Sequence, residues 1–444
     1  MAEPRRTDLA LRAEQAVLVQ VISRRNDLDA DETFEELESL AHTARTRIVG
    51  RLRQRRDHPH RTHYLGTGKL KELRRLCRST DANVVICDDE LSPAQVKTLE
   101  GELDTKVVDR SEVILDIFAS HARTKQAKLQ VELAQLEYEL PRLTRRWTHL
   151  DRTAGGTLGG PVGGGIGVRG PGEKQLEVDR RLVQRRIHEL KKSLEKIEKR
   201  RHVMVEDRNQ RFTTVALVGY TNAGKSSLMN ALTGSGVSVR DRLFETLDTR
   251  TRDWELPDGR EVLLSDTVGF IRKFPHHLVA TFHATLEEAR EADLLLHVID
   301  AAKPDPEREV RSVNEALAEV GCADRPAIYL LNKTDLVQDY SGIPLVRKLV
   351  DEVICTSART GTGLEEVARR VCELLDRSLT EYRVEAGLGN GRLDSFLYER
   401  GQVRDRSCRD GRLQYRVLID PESVGIIRSL GGEVEKVEAR TEAE

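Results

Sequence analysis

The chain is short of the features that would send it out of the cell or into a membrane. Its six cysteines, Cys77, Cys87, Cys322, Cys355, Cys372 and Cys408, include no close pair, so neither a zinc site nor a disulfide framework is expected and the compartment reads as reducing. No apolar segment follows Met1-Ala2-Glu3-Pro4-Arg5-Arg6, and no apolar run nears the roughly 18 residues that cross a bilayer. The expectation is a cytoplasmic protein with no membrane span and at most peripheral membrane contact. Net charge is also small, because 72 Lys and Arg against 74 Asp and Glu leave −2. The balance is uneven, however: residues 121–211 hold 21 Lys and Arg against 12 Asp and Glu, a net of +9, so the remainder carries −11. That stretch is the part suited to a polyanion. With 444 residues, 38% of them hydrophobic, there is room for about three domains with real cores.

Against those absences stands one dense motif. Gly219-Tyr220-Thr221-Asn222-Ala223-Gly224-Lys225-Ser226 places two glycines ahead of Lys and Ser, between an apolar β-branched run, Thr214–Val218, and a helical pattern from Ser227 to Leu232. A strand, a loop and a helix in that order make a phosphate cradle: backbone N–H groups converge on phosphate oxygens at a helix N-terminus. Lys225 is expected to reach the β- and γ-phosphates, and Ser226 to hold Mg²⁺. A second strand pattern, Glu261–Ser265, leads into Asp266-Thr267-Val268-Gly269, whose carboxylate would bind Mg²⁺ through water and whose Gly269 N–H would meet a γ-phosphate. Two further apolar runs end in Asn332-Lys333-Thr334-Asp335 and Ser357-Ala358-Arg359. These read as base-binding loops, in which Asp335 accepts from two guanine N–H groups, Ala358 offers its N–H to the guanine O6 and Lys333 lies along the base. Adenine cannot satisfy that carboxylate, so GTP, hydrolysed to GDP, is the expected substrate.

One position departs from the simplest pattern. Phe270 follows Gly269 where many GTPases carry a water-orienting glutamine, and an apolar ring cannot orient water. Slow turnover by the free protein is expected, with stimulation by a partner. Asn222 matches a position that helps bind K⁺ in some GTPases lacking the glutamine; an amide that merely stabilises the loop fits equally well.

The fold class expected is α/β: a P-loop GTPase domain with a small N-terminal α/β domain, a long antiparallel helical hairpin and a small C-terminal α+β module. The divisions fall at residues 1–110, 111–210, 211–380 and 381–444. The first 30 or so residues read as a charged lead-in. Helices are expected at Phe34–Thr43, Lys69–Cys77 and Pro93–Leu103, and strands at Arg47–Leu52, Asn83–Cys87 and Val107–Val108. Gly66-Thr67-Gly68-Lys69 reads as a strand-to-helix turn, and Asp88-Asp89-Glu90 as a cap or solvated loop. Leu129, Leu133, Leu136, Leu140 and Leu143 are spaced 4, 3, 4, 3, and Val183, Ile187, Leu190, Leu194 and Ile197 keep the same register, which describes two heptad seams. Pro141 should end the first helix. Between the seams, residues 155–172 contain ten glycines and two prolines. The tip and its approaches carry Arg142, Arg145, Arg146, Trp147, His149, Arg152, Arg169 and Lys174; this composition suits RNA, but a solvated tether or a protein contact explains it too. Beyond the GTPase part, Ser395–Arg404 and Arg412–Ile419 read as paired strands and Pro421–Leu430 as a helix. A monomer is expected.

Gly170-Pro171-Gly172-Glu173-Lys174-Gln175-Leu176-Glu177-Val178-Asp179-Arg180-Arg181, placed before a GTPase motif set, resembles the HflX family of ribosome-associated GTPases. Asp88–Pro93 and Ala127–Leu136 carry the same likeness, which spans roughly residues 35–380. The resemblance implies a GTPase that binds the large ribosomal subunit, directs its hairpin tip toward the peptidyl transferase centre, and splits or rescues stalled ribosomes under stress. It also implies a switch segment at Phe244-Glu245-Thr246-Leu247-Asp248, with Thr246 a Mg²⁺ ligand that senses the γ-phosphate. Glu245 and Thr249 depart from the small residue and the proline of that pattern, and Gly159–Gly165 lengthens the tip. Some relatives are said to bind ATP in the N-terminal domain, yet no second phosphate loop is legible here. A GTPase of ribosome assembly or tRNA modification, a P-loop small-molecule kinase and a binding protein with structural GTP are the alternatives; the kinase leaves Asn332–Asp335 unexplained.

Overall fold

The computed structural model describes residues 14–23, 30–145, 171–209, 212–235, 243–244, 249–273, 288–319, 321–337, 343–350, 352–378, 380–409, 411–419 and 421–437. Its first sheet has four parallel strands in the order β2-β1-β3-β4. They are β1 (Gln15–Ile22), β2 (Arg47–Arg55), β3 (Val84–Cys87) and β4 (Lys106–Asp109), and α1 (Ala30–Thr43), α2 (Thr67–Thr80) and α3 (Pro93–Leu103) connect them. The expected lead-in is therefore corrected, because β1 is an inner strand. Gln-Ala-Val-Leu-Val-Gln-Val-Ile is buried on both faces, as parallel strands between helices are, and its charged flanks disguised it. Asp88 is not solvated either. It is fully buried and accepts from Arg110 Nη1 at 2.9 Å, Gln20 Nε2 at 3.3 Å and Lys273 Nζ at 2.8 Å. Arg110, equally buried, also pairs with Glu36. Removing one member of such a group leaves buried charge uncompensated, so Arg110→Ala should cost about 3 kcal/mol or more in urea unfolding.

Two helices, α4 (Arg110–His121) and α5 (Lys125–Glu139), then double back on each other, and α5 stops before Pro141. The long α6 (Pro171–Asn209) packs Ile187, Leu190 and Leu194 against Leu129, Leu133 and Leu136 of α5. Glu132 pairs with Arg186 at 2.7 Å and Glu137 with Lys191 at 2.8 Å. Each pair joins the same flank of its two heptad seams, the pattern of antiparallel helices, in which like flanks face each other.

The second sheet runs β10-β9-β8-β5-β7-β6. Here β5 is Thr213–Gly219, β6 Arg250–Glu255, β7 Glu261–Asp266, β8 Leu294–Asp300, β9 Ala327–Asn332 and β10 Val353–Cys355; only β6 is antiparallel. Four motifs thus leave the carboxyl ends of neighbouring strands, the edge where open parallel sheets bind ligands. One apolar core is continuous from the first sheet through α4 and α5 into this one.

The C-terminal module follows the order β11 (Thr380–Gly387), α7 (Gly391–Arg400), β12 (Gln402–Arg409), β13 (Arg412–Ile419), α8 (Val424–Ser429), β14 (Glu433–Lys436). Its sheet is β12-β13-β11-β14, the ferredoxin-like arrangement. Residues 395–400 are helical, which corrects the strand expected there. Asn390 caps this helix by accepting from Leu393 N, and Leu393 and Leu397 bury its inner face at helical spacing. On the opposite face of the sheet Arg416 meets Glu381 at 3.0 Å and Arg412 meets Glu433 at 3.1 Å, while Tyr382 and Tyr415 are buried. Among the described residues that face presents no ring on which a base could stack.

Candidate nucleotide site

The loop after β5 is shaped by backbone approaches that leave no room for side chains. A Cβ on Gly219 would lie 2.2 Å from Val298 O, and one on Gly224 would lie 2.3 Å from Asn332 Nδ2, at φ of +146° and +96°. Asn222 adopts the left-handed region as well, at φ 64°. Lys225 folds back to donate to Gly219 O at 3.1 Å and Tyr220 O at 2.8 Å. Burial pulls its ammonium down to about 8, against the opposing pull of Asp266 and Glu309. Bound phosphates would restore its charge, so nucleotide binding takes up a proton once the free site has lost one. Apparent GDP affinity should be level below pH 8 and fall by up to about tenfold per pH unit above it, as calorimetric titration would show.

Ser226 Oγ donates to Asp266 Oδ2 at 2.5 Å. A hydroxyl and a carboxylate converging beside the phosphate loop are hard oxygen donors, so this pair fits Mg²⁺. Thr267 is differently employed: its hydroxyl donates to Leu217 O at 2.7 Å inside the sheet. Val268 is buried, and Gly269 lies against the loop, where a Cβ would meet Thr221 Cα at 2.7 Å and Lys225 Nζ at 2.9 Å. The next residue is zipped to the loop: Thr221 N donates to Phe270 O at 2.7 Å and Phe270 N to Gly219 O at 3.1 Å.

The loops after β9 and β10, expected to read the base, are braced from within. Asn332, buried at the end of β9, donates through Nδ2 to Ala223 O at 2.9 Å and accepts Ala358 N at 3.1 Å. One amide therefore holds the phosphate loop and the second base loop together. Asp335 accepts from Ser357 Oγ at 2.7 Å, with the exposed Arg359 4.0 Å away. Thr334 bonds Thr356 O through both its N–H, at 3.2 Å, and its hydroxyl, at 2.9 Å. Lys333 is held by Asp300 at 2.7 Å.

Several participants were not foreseen in the sequence. Tyr220 does not aim into the phosphate site; its buried hydroxyl donates to Glu36 of α1 and accepts Arg272 N at 2.7 Å. Lys303, paired with Glu309, sits 4.6 Å from the centre of its ring. Arg272 pairs with Glu32, and Lys273 with Asp88 and Asp89. These links are separated by as many as 240 residues, and no local pattern signals them. Of the switch segment, Phe244 is described, whereas Glu245, Thr246, Leu247 and Asp248 lie outside the described residues. So do the tip residues Arg146, Trp147, His149, Arg152 and Arg169. Arg142, counted among the tip cations, is turned inward instead: its guanidinium lies 3.4 Å from the ring centre of Tyr138 and donates to Leu91 O at 2.9 Å and Asp109 at 3.2 Å. Among the described residues no cluster of His, Cys, Asp and Glu could hold a further metal, and no helix is long and apolar enough to cross a membrane.

Comparison with known proteins gives the family. Residues 31–119 match the family model described as GTP-binding GTPase N-terminal, 121–208 the GTP-binding GTPase middle region and 214–333 the 50S ribosome-binding GTPase. GTPase HflX of Escherichia coli K12 is 42% identical over 388 residues, 87% of this chain and 88% of that protein. This chain belongs to the HflX family of GTPases. HflX of Magnetococcus marinus is 41% identical over 428 residues, 95% of this chain and 96% of its own. A GTP-binding protein from Sulfolobus solfataricus solved in complex with GDP is 27% identical, covering 82% of this chain and 99% of that one with a TM-score of 0.43. HflX-family membership makes GTP the substrate.

Proposed function

We propose that this chain hydrolyses GTP to GDP and phosphate on the large ribosomal subunit, and that its hairpin acts there to split or rescue stalled ribosomes. The observation supporting the GTPase part is the Asn332 brace, which ties the phosphate loop at Ala223 to the loop of Ala358 beside Asp335. The ribosomal part rests on the HflX resemblance, on relatives bearing that name and on the likeness of residues 214–333 to 50S ribosome-binding GTPases. The four-part division at 110, 210 and 380 belongs to the same reading.

In this mechanism Lys225 and the loop N–H groups hold the β- and γ-phosphates and Asp335 holds guanine; Ala358 N, which donates to Asn332 Oδ1 at 3.1 Å, is not the free guanine donor expected from the sequence and would have to share that bond to reach O6. Ser226 and Thr246 would ligate Mg²⁺, with Asp266 beyond them; the ion supplies neutralisation of the charge that builds on the phosphate oxygens. Gly269 N–H senses the γ-phosphate. Phe270 can contribute only backbone, so water must be oriented by the ribosome, by K⁺ held near Asn222, or by both. Loss of the γ-phosphate releases the switch segments and with them the particle.

Turnover measured alone, with each subunit and with whole ribosomes, in Na⁺ and in K⁺, tests this. Large subunits should raise the rate by at least about tenfold, further in K⁺, since transition-state groups supplied in trans are worth 10³–10⁵ in related systems. Equal rates with and without particles would sink the reading.

A further inference from the structure

Phe244 is the described residue closest in sequence to the proposed γ-phosphate sensor, Thr246, and it is held by the hairpin's root. Its ring is buried and stands edge-on to Phe118 of α4, with centroids 4.7 Å apart and an interplanar angle of 76°. Its carbonyl is 2.7 Å from His121 Nδ1. A carbonyl only accepts, so Nδ1 carries the proton and donates. Phe244 also has φ 55°, a left-handed conformation uncommon for a bulky residue, which persists only where surroundings over-determine it. Phe118 and His121 occupy the end of α4, three residues before α5 opens at Lys125.

We propose that Phe118 and His121 are positioning residues through which the hairpin senses the nucleotide, gripping Phe244 in one nucleotide state and releasing it in the other. This deepens the reading above and rests on it, since it needs the switch segment to answer to the γ-phosphate. The strain at Phe244 supplies the second position: freed from its socket, the residue relaxes to an ordinary backbone conformation. A rigid α4–α5 pair, packed through Phe118, Ile114 and Val131 into one core, carries the change to α6.

Hydrogen exchange of the full chain, with GDP and with a non-hydrolysable GTP analogue and no ribosome present, tests it. Wild-type amides in residues 110–139 should differ in protection by about tenfold between the two nucleotides, the size of an ordinary coupling. His121→Ala, at a partly exposed position, should shrink that difference at least threefold while leaving GDP affinity unchanged; His121→Asn, whose amide can stand in for Nδ1–H, should restore it. Phe118→Leu, which keeps the site apolar, should weaken it as well. A difference that persists in full in His121→Ala and Phe118→Leu, or one absent from the wild type, overturns the proposal. A wild-type difference that His121→Ala removes, in a protein that sediments with no ribosomal particle, supports the coupling and overturns the ribosomal function alone.

Discussion

Asp335→Asn turns the pocket from guanine toward xanthine nucleotides. The carboxylate accepts from Ser357 Oγ and keeps acceptor capacity for two further donors, which guanine supplies from N1 and its amino group. An amide in its place has one acceptor and one donor, and the donor faces the guanine amino group unproductively. Xanthine carries a carbonyl where that amino group stands and satisfies the amide. GTP affinity should fall by roughly 10³-fold or more, the cost of a mismatched buried polar pair, while xanthosine triphosphate gains comparably. Competition binding with both triphosphates reads the exchange directly. Loss of GTP binding without gain of the xanthine nucleotide would mean that the carboxylate braces the loop through Ser357 and does not read the base.

Gly269→Ala should abolish most turnover and spare GDP binding. The added carbon would fall 2.7 Å from Thr221 Cα, which is main chain and cannot swing aside, and 2.8 Å from Thr221 Cγ2. Phe270, bonded on both sides to Gly219 and Thr221, blocks an easy shift. The segment must lift from the phosphate loop, taking its N–H out of reach of a γ-phosphate. We expect kcat to drop by about 10²-fold, the usual effect of losing one preorganised donor, with GDP affinity within threefold. Gly68→Ala, which meets nothing within 4 Å, is the control and should change neither. Equal losses of GTP and GDP affinity in Gly269→Ala would show that the substitution deforms the loop itself.

The nucleotide motifs were legible because each follows an apolar run that reads as a strand, inner for β5, β7 and β9 and at the sheet's edge for β10, and the topology gathers their loops at the carboxyl ends of those strands. Side-chain direction was less accessible. Tyr220 lies inside the phosphate motif but spends its ring and hydroxyl on α1 and Arg272, a contact set by tertiary packing. Asp88 read as solvated charge and proved buried, and Arg142 proved half-buried and turned inward, because their partners Arg110 and Asp109 are distant enough in sequence to escape any local rule. β1 was missed because charged flanks hid its short apolar run, whereas 395–400 was taken for a strand because a short apolar run suits both periods and the cap at Asn390 decides.

The two hydrogen bonds of Asn332, to Ala223 and from Ala358, have an outcome for evolution of the pocket. A change at Asn332 touches the base loop and the phosphate loop together, whereas a change at Asp335 alters the choice of base alone. A lineage that relaxed its choice of base through Asn332 would lose hold of the polyphosphate too, and would be purged before a new nucleotide could be adopted.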